Sequence, residues 1–96
     1  MKPLIIGHRG ASAVAPENTT ASFREALAVG ADGIEFDVRL TRDGVPVVIH
    51  DSTLRRTSGL PDRVSDLTWD EISKVDVGSW FAASFANETV PSLAQL

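Results

Sequence analysis

The chain has 96 residues, with 9 Lys+Arg against 13 Asp+Glu and a formal net charge of -4, so it is one domain at most. Its 43% hydrophobic and 23% charged content is that of globular rather than disordered chains. The acidic balance, with no basic run, argues against a nucleic-acid partner or an anionic membrane surface, because phosphate backbones are bound by clustered Lys and Arg. There is no cysteine, which excludes disulfides, cysteine nucleophiles and thiolate metal sites. The apolar run Leu4-Ile5-Ile6 is far shorter than a signal-peptide core or the roughly 20 residues of a membrane span. The expectation is a cytoplasmic product without stable membrane insertion.

Pro3-Leu4-Ile5-Ile6-Gly7 is a short aliphatic run closed by glycine and predicts a strand buried on both faces. His8-Arg9-Gly10 follows at its C-terminal end. Residues 11–18 form a loop of small residues with Pro16. Phe23, Ala26 and Leu27 then recur at helical spacing until Gly30 stops the pattern, which predicts a helix over residues 20–29. From Gly33 to Leu40 apolar and polar residues alternate strictly. Ile34, Phe36, Val38 and Leu40 share one face of this strand, and Glu35, Asp37 and Arg39 the other.

A second strand, Pro46-Val47-Val48-Ile49-His50, follows after residues 41–45. That connection is too short for a parallel crossover, which needs about a dozen residues, whereas Asp43-Gly44 is a strong two-residue hairpin signal. The two strands are therefore expected to run antiparallel. With Asp43 and Gly44 as the central pair of the turn, Asp37 faces His50 across the hairpin.

Residues 51–66 are turn-rich and polar and read as a long loop. Thr68 and Glu71 form a capping-box pattern inside a Leu67/Ile72 hydrophobic staple, and a short helix is expected to about Val75. Trp80, Phe81 and Phe85 read as packing under the loop. Ser92 and Gln95 repeat the capping-box pattern at Pro91-Ser92-Leu93-Ala94-Gln95-Leu96. A helix signalled there and stopped after one turn is unstable alone, so the expectation is the front of a longer protein.

Glu35 and Asp37, two apart on a strand, leave the same face with backbones about 7 Å apart and can converge on one cation. Carboxylate oxygens without thiolate suit a hard ion such as Mg²⁺ or Ca²⁺. A solvated acidic strand face is the alternative. The two histidines, His8 and His50, each directly follow an apolar strand, the place where α/β folds carry catalytic groups. Arg9 lies between Gly7 and Gly10, which let a ligand approach closely, and its guanidinium matches phosphate oxygens. Asn18 and Thr19 read as caps of the following helix, with Glu17 open between a polar site group and a cap.

His8-Arg9-Gly10, Glu17-Asn18-Thr19, Glu35-Phe36-Asp37-Val38 and His50-Asp51, in this order and spacing, resemble the glycerophosphodiester phosphodiesterase family. Thr53-Leu54-Arg55-Arg56-Thr57, Asp66-Leu67-Thr68, Gly78-Ser79-Trp80-Phe81 and Val90-Pro91-Ser92-Leu93 extend the resemblance over almost the whole chain. It implies an α/β fold, the N-terminal portion of a (β/α) TIM-type barrel, with a β-hairpin carrying the metal and histidine residues. It also implies metal-dependent hydrolysis of a small-molecule glycerophosphodiester to glycerol 3-phosphate and an alcohol. On that pattern Glu35 and Asp37 are metal ligands for Mg²⁺ or Ca²⁺. His8 is the proton acceptor, His50 the proton donor to the leaving alcohol, and Arg9 binds the phosphate.

The resemblance has one departure. A (β/α) barrel takes about 250 residues, so residues 1–96 form only part of such a domain and leave strand edges and apolar faces uncovered. Weak stability or association is expected. A truncated, catalytically inactive fragment that binds a ligand or partner is the alternative function. A phospholipase-D-like toxin on the same scaffold would usually bring a signal peptide and cysteines, and neither is present.

Overall fold

The computed structural model describes residues 3–96, which form two small sheets flanked by short helices. Strand β1 (Ile6–His8) is followed by helix α1 (Thr20–Ala28) and strand β2 (Gly33–Glu35). Strand β3 (Val38–Leu40) and strand β4 (Pro46–Val48) come next, then the single-turn helices α2 (Arg55–Ser58) and α3 (Trp69–Ile72). The described residues also include three 3₁₀ turns, Val64–Asp66 between α2 and α3, and Ala83–Phe85 and Leu93–Gln95 after α3.

Helix α1 follows the sequence signals at both ends. Thr19 is its N-cap, with the hydroxyl accepting from the Ser22 amide. At the other end the Gly30 amide donates to Leu27 and the Ala31 amide to Ala26, and Gly30 has φ +87°. That is a Schellman termination, which needs a left-handed residue where glycine stands. The helix carries the chain back so that β2 lies parallel to β1, Ile6 beside Gly33 and His8 beside Glu35, a short βαβ unit.

The alternating stretch 33–40 is not one continuous strand: β2 pairs with β1, and β3 pairs antiparallel with β4 in a second sheet. Phe36, at the break, packs edge-on against Phe23 of α1, ring centroids 6.3 Å apart. The register of the β3–β4 pair differs from expectation by one residue. Val38 pairs with Val48 and Leu40 with Pro46, and the Ile49 amide donates to the Asp37 carbonyl. Asp37 is therefore level with Ile49, not His50.

The cause is the turn. The Thr41 amide donates to the Val45 carbonyl and the Gly44 amide to Thr41, with Gly44 at φ +79°. This is a three-residue loop closed by a left-handed glycine rather than a two-residue turn. The Thr41 hydroxyl donates to Asp43 and accepts from the Val45 amide, and Asp43 accepts from the Trp69 amide of α3. Those contacts hold the wider loop against the rest of the chain.

The main core lies on the far side of β4. Val47, Ile49, Leu54, Val64, Ile72, Val75, Val77 and Val90 form one buried cluster, with Leu67 and Trp69 against it. Segment 51–66 is thus ordered: Leu54, Thr57 and Val64 are buried within it, and Thr53 bridges to Arg63. Polar composition hid these three inward-facing side chains. Helix α3 has the Thr68/Glu71 capping box and stops at Ile72, short of Val75.

Strand β1 is not buried on both faces. It begins only at Ile6, and Leu4 and Ile5 before it and Ile6 within it are 76%, 57% and 54% exposed, with Val38 and Leu40 of β3 also open to solvent. The described residues form two separate two-stranded sheets and no closed barrel, so nothing within them covers these faces. Among the described residues no helix is long and apolar enough to cross a membrane.

Candidate active site

The parallel register of β1 and β2 places His8 beside Glu35, and the His8 Nε2 atom lies 3.0 Å from Glu35 Oε2. Directly after His8 the chain turns sharply. Arg9 has φ +54° and Gly10 φ +82°, a left-handed pair that is uncommon at an arginine. Three bonds hold it: the Arg9 amide donates to Glu35, while the Arg9 carbonyl accepts from the Asn18 amide and the Ser22 hydroxyl. Gly10 is required by space as well as by angle, since a Cβ there would stand 2.1 Å from Ser22 Oγ.

This turn aims Arg9 across the strand ends. Its Nη1 donates to Glu17 Oε2 at 3.1 Å, and its Nε lies 3.4 Å from Asp37 Oδ2. Asn18, buried and itself at φ +54°, donates from Nδ2 to the same Asp37 oxygen at 3.1 Å. Asn18 is therefore not a helix cap: Thr19 does that work, and Asn18 fixes Asp37. The capping motif concealed this, because Asn, Thr and Ser all satisfy its pattern.

His50 stands at the end of β4, and its Nδ1 lies 2.7 Å from Asp51 Oδ1. Asp51 is held down to about 2 by hydrogen bonds first from Arg56 and then from His50. An ionised Asp51 accepts only, so Nδ1 carries a proton, and Nε2 is the ring nitrogen that this contact leaves free. The Arg39 Nε donates to the His50 carbonyl at 2.8 Å and fixes the backbone here.

Arg56, on α2, completes the arrangement. Its Nη1 and Nη2 donate to the two Glu17 oxygens at 2.7 and 2.8 Å, and its Nε and Nη2 donate to the two Asp51 oxygens at 3.0 Å each. Glu17 is held below the usual carboxylate range by the Arg56 hydrogen bond, against the opposing effect of burial. The Trp80 ring centroid lies 6.0 Å from the guanidinium carbon. Trp80, Phe81 and Phe85 form an edge-to-face ladder, with Trp80 44% exposed rather than buried under the loop.

The expected hairpin carrying the metal and histidine residues takes a different form. Glu35 belongs to β2 of the other sheet and His50 follows β4, while Asp37 stands just before β3 and meets the hairpin only through its carbonyl, which accepts from the Ile49 amide. Glu35 and Asp37 offer two hard oxygen donors, and among the described residues no group of three His, Asp or Glu gathers around one point. The donor chemistry of two carboxylates suits a hard divalent cation. In this structure Glu35 faces His8, and Asp37 faces Arg9 and Asn18.

Comparison with known proteins gives a consistent picture. The model of the glycerophosphoryl diester phosphodiesterase family matches residues 8–96. A glycerophosphodiester phosphodiesterase of Caldanaerobacter subterraneus is 51% identical over 96 residues, covering 100% of this chain and 40% of the relative. Glycerophosphodiester phosphodiesterase 1 of Bos taurus is 44% identical, covering 94% of this chain and 28% of its own.

Among solved structures, a glycerophosphodiester phosphodiesterase from Agrobacterium tumefaciens superposes with TM-score 0.93 at 47% identity, over 96% of this chain and 40% of that one. An Oleispira antarctica phosphodiesterase in complex with the product sn-glycerol-3-phosphate superposes with TM-score 0.91 at 41% identity, over 95% and 37%. The chain thus spans about two fifths of the length of these bacterial relatives. With its left-handed Arg9-Gly10 turn and its His8/Glu35 pair inside the matched region, the chain belongs to the glycerophosphoryl diester phosphodiesterase family.

Proposed function

We propose that these residues are the front part of a site that hydrolyses glycerophosphodiesters to glycerol 3-phosphate and an alcohol, in a barrel completed by further sequence and in a cytoplasmic setting. The observation that carries this reading is a pair of side-chain contacts at the ends of β1 and β2, His8 with Glu35 at 3.0 Å and Arg9 with Asp37 at 3.4 Å. The product found in the Oleispira antarctica structure supports the substrate class.

In this reading Arg9 presents its guanidinium to the phosphoryl oxygens and stabilises the charge that grows there. Glu17 and Asp37, on either side of Arg9, hold it in that orientation. His8 accepts the proton of the attacking hydroxyl, supplied by water or by the neighbouring glycerol hydroxyl. His50 donates from Nε2 to the alcohol oxygen as its bond to phosphorus breaks, while Asp51 stabilises the imidazolium. Glu35 and Asp37 would hold a divalent cation, Mg²⁺ or Ca²⁺, which supplies Lewis-acid stabilisation of the phosphoryl oxygens when bound.

The test is release of glycerol 3-phosphate from a glycerophosphodiester by the 96-residue chain with Mg²⁺, Ca²⁺ or chelator, beside a His8→Ala/His50→Ala control. Metal-dependent release lost in the control supports the proposal. Binding of sn-glycerol 3-phosphate without turnover supports the alternative of an inactive, ligand-binding fragment.

A further inference from the structure

Arg9 and His50 come from different sheets, and no hydrogen bond or ion pair joins them directly. They are joined indirectly. From Arg9 the contacts run to Glu17, from Glu17 to both terminal nitrogens of Arg56, from Arg56 to both oxygens of Asp51, and from Asp51 to His50. Arg56 is the only side chain among the described residues that hydrogen-bonds both carboxylates. We propose that Arg56 is a positioning residue, which through Glu17 and Asp51 sets Arg9 and His50 relative to one another. This deepens the proposed phosphodiesterase reading and rests on it for its functional meaning.

The geometry requires a guanidinium. Four donor contacts at 2.7 to 3.0 Å reach two carboxylates from one planar fork, which an ammonium, a point charge on a flexible stem, does not reproduce. The fork is itself held. Helix α2 is anchored by buried Leu54 and Thr57, and the Trp80 ring lies 6.0 Å from the guanidinium carbon, within cation–π range. Both acids are held ionised, Glu17 and Asp51 each being lowered chiefly by Arg56, so both keep acceptor-only character towards Arg9 and His50. The order of segment 51–66 thus has a functional consequence, since it delivers Arg56 to the strand ends from 39 residues beyond Glu17.

The experiment uses the 96-residue chain with Arg56→Lys and Arg56→Ala, and with Arg55→Lys as control on the neighbouring exposed arginine. NMR follows the Arg9 side-chain Nε–H signal and the His50 ring signals, thermal unfolding reports the fold, and titration with sn-glycerol 3-phosphate reports affinity. In Arg56→Lys the chain is expected to keep a cooperative unfolding transition, lowered only by the part that the Asp51 pair contributes. The Arg9 and His50 signals should nevertheless both move, and affinity should fall about tenfold, with lysine giving no rescue over alanine. Arg55→Lys should change none of these.

The proposal is overturned if folded Arg56→Lys leaves the Arg9 and His50 signals in place, restores the affinity lost in Arg56→Ala, or is matched by Arg55→Lys. If the parent chain does not bind sn-glycerol 3-phosphate, residues 1–96 alone do not form the binding site of the proposed reading, and the NMR signals alone then decide whether Arg56 couples the two residues.

Discussion

His8 and Glu35 are neighbours across the parallel β1–β2 pair, with His8 Nε2 3.0 Å from Glu35 Oε2. A candidate base and a candidate metal ligand therefore share one contact, and each limits what the other can do. Removing the carboxylate charge alone, with Glu35→Gln, is expected to weaken Mg²⁺ or Ca²⁺ binding by more than about tenfold, since even groups that only support a ligand contribute about 10- to 100-fold. Calorimetric titration with each ion checks this. An unchanged affinity would remove Glu35 from the ligand set.

The Arg9-Gly10 turn should be intolerant of any side chain at Gly10. With φ +82° and a Cβ that would meet Ser22 Oγ at 2.1 Å and the Ser22 backbone at 2.7 Å, Gly10→Ala incurs both backbone strain and overpacking. The expected loss is about 2 kcal/mol or more in urea unfolding. Gly44→Ala, also at positive φ but with nothing within 4 Å, should lose less.

Stability should fall with acid through Asp51. Its pKa is depressed in the fold, from 3.8 to about 2. The contribution is therefore present above the unfolded value near 4 and is lost as pH falls through about 2. After solvent screening it amounts to about 1 kcal/mol. Glu17 is shifted in the same direction by the same arginine. Thermal unfolding of the parent chain should fall more between pH 5 and pH 2 than that of Asp51→Asn, and equal slopes would count against the ion pair.

Core and open faces should respond in opposite ways. Leu54 and Ile72 are 0% exposed, so Leu54→Ala is expected to cost about 2–5 kcal/mol. Leu4, just before β1 and 76% exposed, and Leu40 of β3, 58% exposed, lie on uncovered surfaces. Leu4→Lys and Leu40→Lys should leave the unfolding midpoint nearly unchanged while reducing self-association in sedimentation.

What could be read from sequence was what depends on near neighbours. Helix α1 with its Gly30 stop, the Thr68/Glu71 box and the place of His8 at the end of the first strand all follow from short spacings. The pairing of Asp37 with Ile49 did not, because a turn's loop length depends on contacts such as that between Asp43 and the Trp69 amide, 26 residues away. Arg56 reaches Glu17 across 39 residues, so no periodicity links them. Asn18 was concealed differently, since a capping signal and a buried donor to Asp37 look alike until the fold shows that Thr19 supplies the cap.

The most direct test of the central claim is a chimera in which residues 1–96 replace the matching segment of the Caldanaerobacter subterraneus relative, 51% identical over that length. The assay is metal-dependent release of glycerol 3-phosphate, with His50→Ala beside it. Turnover is expected, abolished by chelator and lowered by His50→Ala by about 10²- to 10⁴-fold. A chimera that folds and binds the divalent cation yet shows no turnover, or one indifferent to His50→Ala, would contradict it.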